Sequence, residues 1–260
     1  HFSSPGHIPE GLPVAPEIII GPDERYPIGD TNIYYPYSAV VHIGFNWPDS
    51  GTLWCTGWMV SPSTVVTAAH CIYDPAHTEG PWIENVIIIP GYNSNSSIPI
   101  PFGSCNGYEY YILSPWFYDN QPKEYDYGFI HLDCTIGYQS GYLEFSPYDD
   151  PGTGKYLQLV GYPQDLDPTG QEMWFSLGYL LYSEPLFTNY DNDTMGGDSG
   201  APVWEIGNSS CYHCVIAIHS RGTGVDSNGG PRVAGVFLYY LQQEQTFSVN
   251  LIYLPFIAYY

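Results

Sequence analysis

Gly196-Gly197-Asp198-Ser199-Gly200-Ala201-Pro202 is the sharpest string in the chain. Small residues flank one serine and free the backbone to turn tightly beside it, the setting a nucleophile needs. Acyl transfer calls for backbone N–H donors aimed where a carbonyl oxygen becomes negative, and glycine tolerates the close approach this demands. Gly197 and Ser199 are the natural donors, although a plain Gly/Ser turn would read the same way.

Two further strings supply the groups such a serine would need. Val65-Val66-Thr67-Ala68-Ala69-His70-Cys71 is a β-branched strand running into small residues and a histidine beside a cysteine. Seven other histidines make a structural role for His70 a real alternative. What sets it apart is Cys55 upstream across Gly57, which could staple two strands and fix the imidazole. In Lys123-Glu124-Tyr125-Asp126-Tyr127-Gly128-Phe129-Ile130 an acid stands just before an apolar strand. A buried carboxylate is costly unless a donor pairs with it. A histidine N–H is such a donor, and pairing would fix the tautomer whose other nitrogen accepts a serine proton.

Working outward, the 260 residues carry 5 Lys+Arg against 27 Asp+Glu, a formal net charge of −22. Phosphate backbones and anionic leaflets repel such a surface, so neither nucleic acid nor membrane is an expected partner. With 44% hydrophobic residues and 26 Tyr there is ample material for a core. No apolar run approaches the roughly 20 residues that span a bilayer, and the chain reads as mature and soluble. Gly and Pro, 28 and 24 of them, punctuate it every ten residues or so, the rhythm of an antiparallel β protein.

Between these marks lie ten short segments rich in β-branched and aromatic residues, read as strands: 37–45, 52–60, 85–89, 109–113, 127–132, 156–160, 173–181, 201–206, 214–218 and 233–239. Helix is expected only near Ala68 to Ile72 and after Tyr240. Strand-only chains of this length close into barrels or sandwiches. Residues 1–17, with four prolines, read as an extended arm or pro-segment.

Six cysteines suit an oxidising compartment and three disulfides. Buried thiols or a zinc site is the alternative, though Cys211 and Cys214 form the sole CxxC. Sequons at Asn95, Asn192 and Asn208 are glycosylation candidates. The acid-rich turns 148–150 and 165–167 lack a recognised calcium-loop pattern, so no metal is expected.

The order His, Asp, Ser with the phrases TAAHC and GDSG resembles the chymotrypsin-like serine proteases. Ile18 to Asp23 (IIIGPD), YSAV at 37–40, Gly161-Tyr162-Pro163, Met173-Trp174 and Asp193-Thr194 narrow the resemblance to the glutamyl endopeptidase branch. The resemblance runs from about Ile18 to Leu238. It implies an all-β fold of two six-stranded antiparallel barrels, 18–139 and 140–260, with the active site between them. It makes His70 the general base, Asp126 its orienting partner and Ser199 the nucleophile of an acyl-enzyme mechanism. The Gly197 and Ser199 N–H groups become the oxyanion hole, and no cofactor is required. It pairs Cys55 with Cys71 and Cys211 with Cys214, leaving Cys105 with Cys134. A secreted monomer acting on proteins or peptides is the implied protein.

In that family the residues five and six before the serine and the strand after the CxxC line the pocket for the side chain preceding the scissile bond. Here these are Thr194, Asp193 and Ala217-Ile218-His219-Ser220. Thr194, His219 and Ser220 suit a substrate carboxylate, since an imidazole and a hydroxyl can donate to it. Glu is the preferred residue, with Asp nearest to it. Asp193 falls where trypsins bind Arg and Lys, so that preference stays open as the competing reading. Met195 in place of a trypsin's cysteine, and His219 itself, count against it.

Asp198 matches trypsins, where the same aspartate pairs with an α-amino group released by zymogen cleavage. Glu17-Ile18 is a plausible cleavage point, one that a Glu-specific enzyme could cut itself. The strongly acidic composition predicts stability in mild acid. Two other classes compete: an inactive protease-like binding protein, which usually lacks a triad residue, and a Tyr-rich carbohydrate-binding β protein, which explains neither TAAHC nor GDSG.

Overall fold

The computed structural model describes residues 16–146, 153–207, 211–246 and the backbone of 256–259. The arm over residues 1–15, the turn at 148–150 and Asn208 lie outside them. In chain order the strands are β1 (Arg25–Pro27), β2 (Val40–Asn46), β3 (Thr52–Ser61), β4 (Thr64–Thr67), β5 (Glu84–Pro90), β6 (Cys105–Leu113), β7 (Gly128–Leu132) and β8 (Tyr156–Gly161). There follow β9 (Trp174–Ser183), β10 (Phe187–Tyr190), β11 (Pro202–Glu205), β12 (Val215–Ile218), β13 (Arg221–Gly222), β14 (Asn228–Pro231) and β15 (Phe256–Tyr259). Among the described residues three α-helices are present: α1 (Ser114–Tyr118), α2 (Gly137–Ser140) and α3 (Gly235–Thr246).

Two antiparallel sheets result, as the β-rich punctuation implied. The first runs β6-β5-β2-β3-β4-β7 and closes through β6 pairing with β7, giving a six-stranded barrel. The second runs β12-β11-β8-β9-β10-β14-β13, and a single bridge, Ala217 to Arg232, draws its ends together. The strands alternate between two apolar environments because successive side chains point to opposite faces. Val41, Val65 and Ile130 fill the first barrel, whereas their neighbours Val40, Val66 and Phe129 pack between the sheets with Val160, Trp204 and Val215. Leu157, Leu159, Val203 and Ile216 fill the second.

The chain ends cross the division expected at 139/140, which falls in α2. β1 pairs with β9 of the second sheet, and β15 with β6 of the first. Arg25 fastens the early segment: its guanidinium donates to both oxygens of Asp165 at 2.8 and 2.6 Å and to Asp23 at 3.0 Å. Thus the 165–167 turn is part of the framework.

One expected strand is wrong. Residues 233–239 carry β-favouring side chains, yet α3 begins at Gly235. Phe237, Tyr240, Leu241 and Glu244 are buried at helical spacing, so packing overrides local preference. Conversely β14 (Asn-Gly-Gly-Pro) was missed for want of a branched residue. Its Gly230 has no room for a Cβ beneath the Ile218 carbonyl, so the close strand approach itself demands glycine. The helix expected near Ala68 is a 3-10 turn, Ala69–Cys71.

Candidate active site

The registers of β4 and β7 bring the first two site residues together. Thr67 lies opposite Gly128, so the chain continuing past Thr67 meets the chain preceding Gly128. His70 sits on the 3-10 turn after β4, and Asp126 directly follows the turn Lys123–Tyr125. The Cys55–Cys71 disulfide ties the histidine's turn to β3, and Cys105–Cys134 and Cys211–Cys214 are the other two bridges.

Ser199 arrives from the second sheet, in the turn before β11. Thr56 of β3 holds that turn, its N–H donating to the Ser199 carbonyl at 2.9 Å and its hydroxyl to the Gly197 carbonyl at 2.8 Å. Gly197 has φ +99°, and a Cβ there would overlap the Tyr162 carbonyl oxygen, so only glycine fits. Among the described residues the Gly197 and Ser199 N–H groups have no hydrogen-bond partner of their own.

The geometry is a line of proton-exchanging atoms. His70 Nδ1 lies 2.9 Å from Asp126 Oδ2 and 3.1 Å from Oδ1, and the His70 backbone N–H donates to Oδ1 at 3.0 Å. His70 Nε2 is 2.8 Å from Ser199 Oγ. Asp126 is fully buried, and Arg221 Nη2 donates to its Oδ2 at 2.7 Å. Burial alone would raise the Asp126 pKa, but His70 and Arg221 outweigh it and hold the carboxyl below its usual range. Burial likewise opposes charge on His70, yet Asp126 prevails and its pKa rises; Glu17 adds to the rise and Arg221 works against it.

The remaining residues of interest follow β12 or precede Ser199 in the chain. His219 is fully buried, with Tyr190 O–H donating to its Nδ1 at 2.9 Å when that nitrogen is the acceptor. This leaves Nε2–H free to face Glu17. There it lies 3.4 Å from Glu17 Oε1, an ion-pair distance longer than a good hydrogen bond. The Thr194 and Ser220 hydroxyls are buried and unpartnered among the described residues. A buried polar group without a partner is costly, so each of these three is an exception that calls for an account.

Asp193 is turned elsewhere. Its two oxygens accept the N–H groups of Ile20 at 2.7 Å and Glu24 at 2.8 Å, so it serves the N-terminal segment. Asn192 is also spent, since its amide donates to the Ser176 carbonyl at 3.1 Å and it is fully buried. The sequon there cannot carry a glycan in the folded chain, whereas Asn95 is exposed. Asp198 is buried with the Met195 N–H at 3.1 Å, and burial pushes its carboxyl well above the ordinary range.

Glu17, Tyr190 and Arg221 were not singled out as site residues by the sequence. Arg221 carried a usable signal, being one of only five bases in the chain and next to Ser220. Tyr190, among 26 tyrosines, carried none. Two acidic clusters of metal-binding composition, Cys105/Asp133/Cys134 and Glu144/Cys211/Cys214, have their sulfurs committed to disulfides.

Comparison with known proteins agrees with this geometry. The chain is 36% identical over 230 residues to the glutamyl endopeptidase of Bacillus licheniformis, covering 86% of this chain and 68% of the relative. The chain belongs to the glutamyl endopeptidase family of chymotrypsin-fold serine endopeptidases. The trypsin family model matches residues 28–97. A Bacillus subtilis protein named extracellular metalloprotease is 34% identical over 84% of this chain and 66% of its own length. The solved structure of a Glu endopeptidase in complex with MPD superposes with a TM-score of 0.74 at 24% identity, over 88% of this chain and all of that one. That likeness speaks to the fold.

Proposed function

We propose that this endopeptidase is secreted and cleaves after Glu, and after Asp more slowly, by a Ser199–His70–Asp126 triad. His70 takes the Ser199 proton as Oγ attacks the substrate carbonyl, and the Gly197 and Ser199 N–H groups receive the developing oxyanion. Asp126 holds Nδ1–H and stabilises the imidazolium, and His70 then protonates the leaving amine. Water repeats the sequence on the acyl-enzyme. Thr194, His219 and Ser220 bind the carboxylate of the residue before the scissile bond.

The observation that carries the specificity is that a carboxylate, that of Glu17, already lies against His219 Nε2 and Ser199 Oγ. Cleavage after Arg or Lys through Asp193 is disfavoured because both oxygens of that residue already accept backbone N–H groups. Three disulfides suit secretion, and Asn95 is the sequon whose exposure allows a glycan. Matched peptides with Glu, Asp, Arg, Lys, Phe or Ala before the scissile bond, with and without a serine-directed phosphonate, test the proposal. Phosphonate-sensitive cleavage after Glu is expected, and cleavage after Arg or Lys would transfer the pocket to Asp193.

A further inference from the structure

His219 can meet a carboxylate only with a proton on the nitrogen that faces it, because a carboxylate offers lone pairs and no hydrogen. Where the ring stands is fixed by its backbone. His219 N–H donates to the Ala201 carbonyl at 2.8 Å, and the His219 carbonyl accepts the Gly200 N–H at 2.8 Å, so the residue is laced to the two residues that follow Ser199. Those bonds leave the tautomer open, since a neutral imidazole carries its proton on either Nδ1 or Nε2.

The tautomer is decided from the core of the second sheet. Tyr190 ends β10 opposite Leu180, just past a register shift between β10 and β9, and both side chains lie among Leu157, Leu159, Val203 and Ile216. The phenol is fully buried. Burial, with the Glu17 and Asp198 charges adding to it, holds its pKa well above the ordinary value, so it keeps its proton. Its oxygen lies 2.9 Å from His219 Nδ1, and among the described residues it has no other hydrogen-bond partner. A proton on Nδ1 would have to be donated to the phenol oxygen, leaving the phenol's own proton buried without an acceptor, which is costly. With Nδ1 bare, one bond satisfies both groups and the imidazole proton goes to Nε2. Glu17 agrees from the other side. Burial opposes its charge, yet His219 prevails and keeps it the anion, with Oε1 3.4 Å from Nε2.

We infer that Tyr190 sets the specificity of the carboxylate pocket from behind, its O–H holding His219 in the tautomer whose Nε2–H meets the substrate side chain. The inference rests on the proposed carboxylate pocket. Tyr190 touches no substrate and is a positioning residue. Selection of Glu over the isosteric Gln then depends on which nitrogen carries the proton, because a bare Nε2 would repel a carboxylate and accept an amide N–H.

Tyr190→Phe deletes one oxygen from the ring, and two measurements read the result. In the first, nitrogen-15 NMR is recorded at neutral pH on the histidine-labelled full chain, with the His219 signals assigned by their loss in His219→Leu. Wild type is expected to show Nδ1 bare and Nε2 protonated, and Tyr190→Phe a mixture of tautomers. A protonated Nδ1 in wild type overturns the inference, and so does an unchanged pattern in the variant. Should the variant fail to fold by its melting curve, the wild-type tautomer still decides. In the second, steady-state kinetics compare matched Glu, Gln and Ala peptides. Tyr190→Phe should raise KM for Glu by about tenfold with kcat held within about threefold, and lower the preference for Glu over Gln by about tenfold, while the Ala peptide hardly responds. An equal loss on all three peptides overturns the positioning role. A Glu preference that disappears in His219→Leu but survives in Tyr190→Phe overturns Tyr190 alone, whereas a wild type with no preference for Glu overturns the pocket itself.

Discussion

The two sheets contribute to one site in opposite conditions. The first is closed by a registered ladder, five residue pairs from Gly107 opposite Leu132 to Ile112 opposite Gly128, and every side-chain polar atom of His70 and Asp126 has a partner. The second is drawn shut by one bridge among the described residues and carries Thr194 Oγ1, His219 Nε2 and Ser220 Oγ without hydrogen-bond partners there. One half is preorganised for proton transfer, and the other holds the buried polar groups to which the proposed recognition of a carboxylate is assigned. That division is what a selective hydrolase requires: chemistry common to all substrates is fixed in advance, while recognition depends on what the substrate supplies.

Breaking the fixed half has the largest expected effect. Asp126→Asn keeps the shape but presents the wrong partner to Nδ1–H, and kcat is expected to fall by about 10⁴-fold with KM little changed. Steady-state kinetics on a Glu peptide checks this, and a loss below about tenfold would show that Asp126 does not orient the base. Breaking the second half should act selectively. His219→Leu removes the buried donor, so kcat/KM for Glu should drop by about 10²-fold or more while that for an Ala peptide hardly moves. An equal drop for both peptides would mean that His219 supports the fold rather than the substrate.

How much of this was legible in the sequence follows the same line. The strings around His70, Asp126 and Ser199 could be read because tight turns and strand ends restrict which residues can stand there. The strand-rich pattern implied a barrel or a sandwich, and only the family resemblance chose two barrels between them. What escaped depended on distant packing: α3 hidden in a β-favouring stretch, β14 hidden in Asn-Gly-Gly-Pro, and the turning of Asp193 toward Ile20 and Glu24. No local pattern states where the oxygens of Asp193 point, since residues about 170 positions earlier decide it.

Arg221 sharpens the comparison, because it comes from the second sheet and acts on the first. Its guanidinium lies on Asp126 and opposes the rise in the His70 pKa. In Arg221→Gln that opposition is gone, so the His70 pKa moves further up and the acid limb of the kcat/KM profile shifts to higher pH. The plateau rate should fall by about tenfold or less, because the three direct contacts between His70 and Asp126 remain. A profile that keeps its acid limb while losing rate uniformly would mean that Arg221 only packs.

The smallest expected effect concerns stability in acid, where two histidines of the first barrel pull in opposite directions. His42 is wedged edge-on between Tyr92 and Tyr162 with neither ring nitrogen bonded among the described residues, and burial lowers its pKa to about 4. Its unfolded value is near 6.5, so the unfolded chain binds this proton first as the pH falls. Stability from His42 is then lost between about pH 6.5 and 4, by about 3 kcal/mol at most. His131, though burial opposes its charge, is raised by Glu244 at 2.9 Å and Glu109 at 3.2 Å. That contribution is complete below the unfolded pKa and is lost as the pH rises through the folded one. Asp198, raised by burial, also favours the acid side. Acid stability thus rests on His131, Asp198 and relief of the −22 charge outweighing His42. Melting temperature against pH should show His42→Leu gaining on wild type steadily from pH 6.5 down to 4, and parallel curves would remove His42 from the balance.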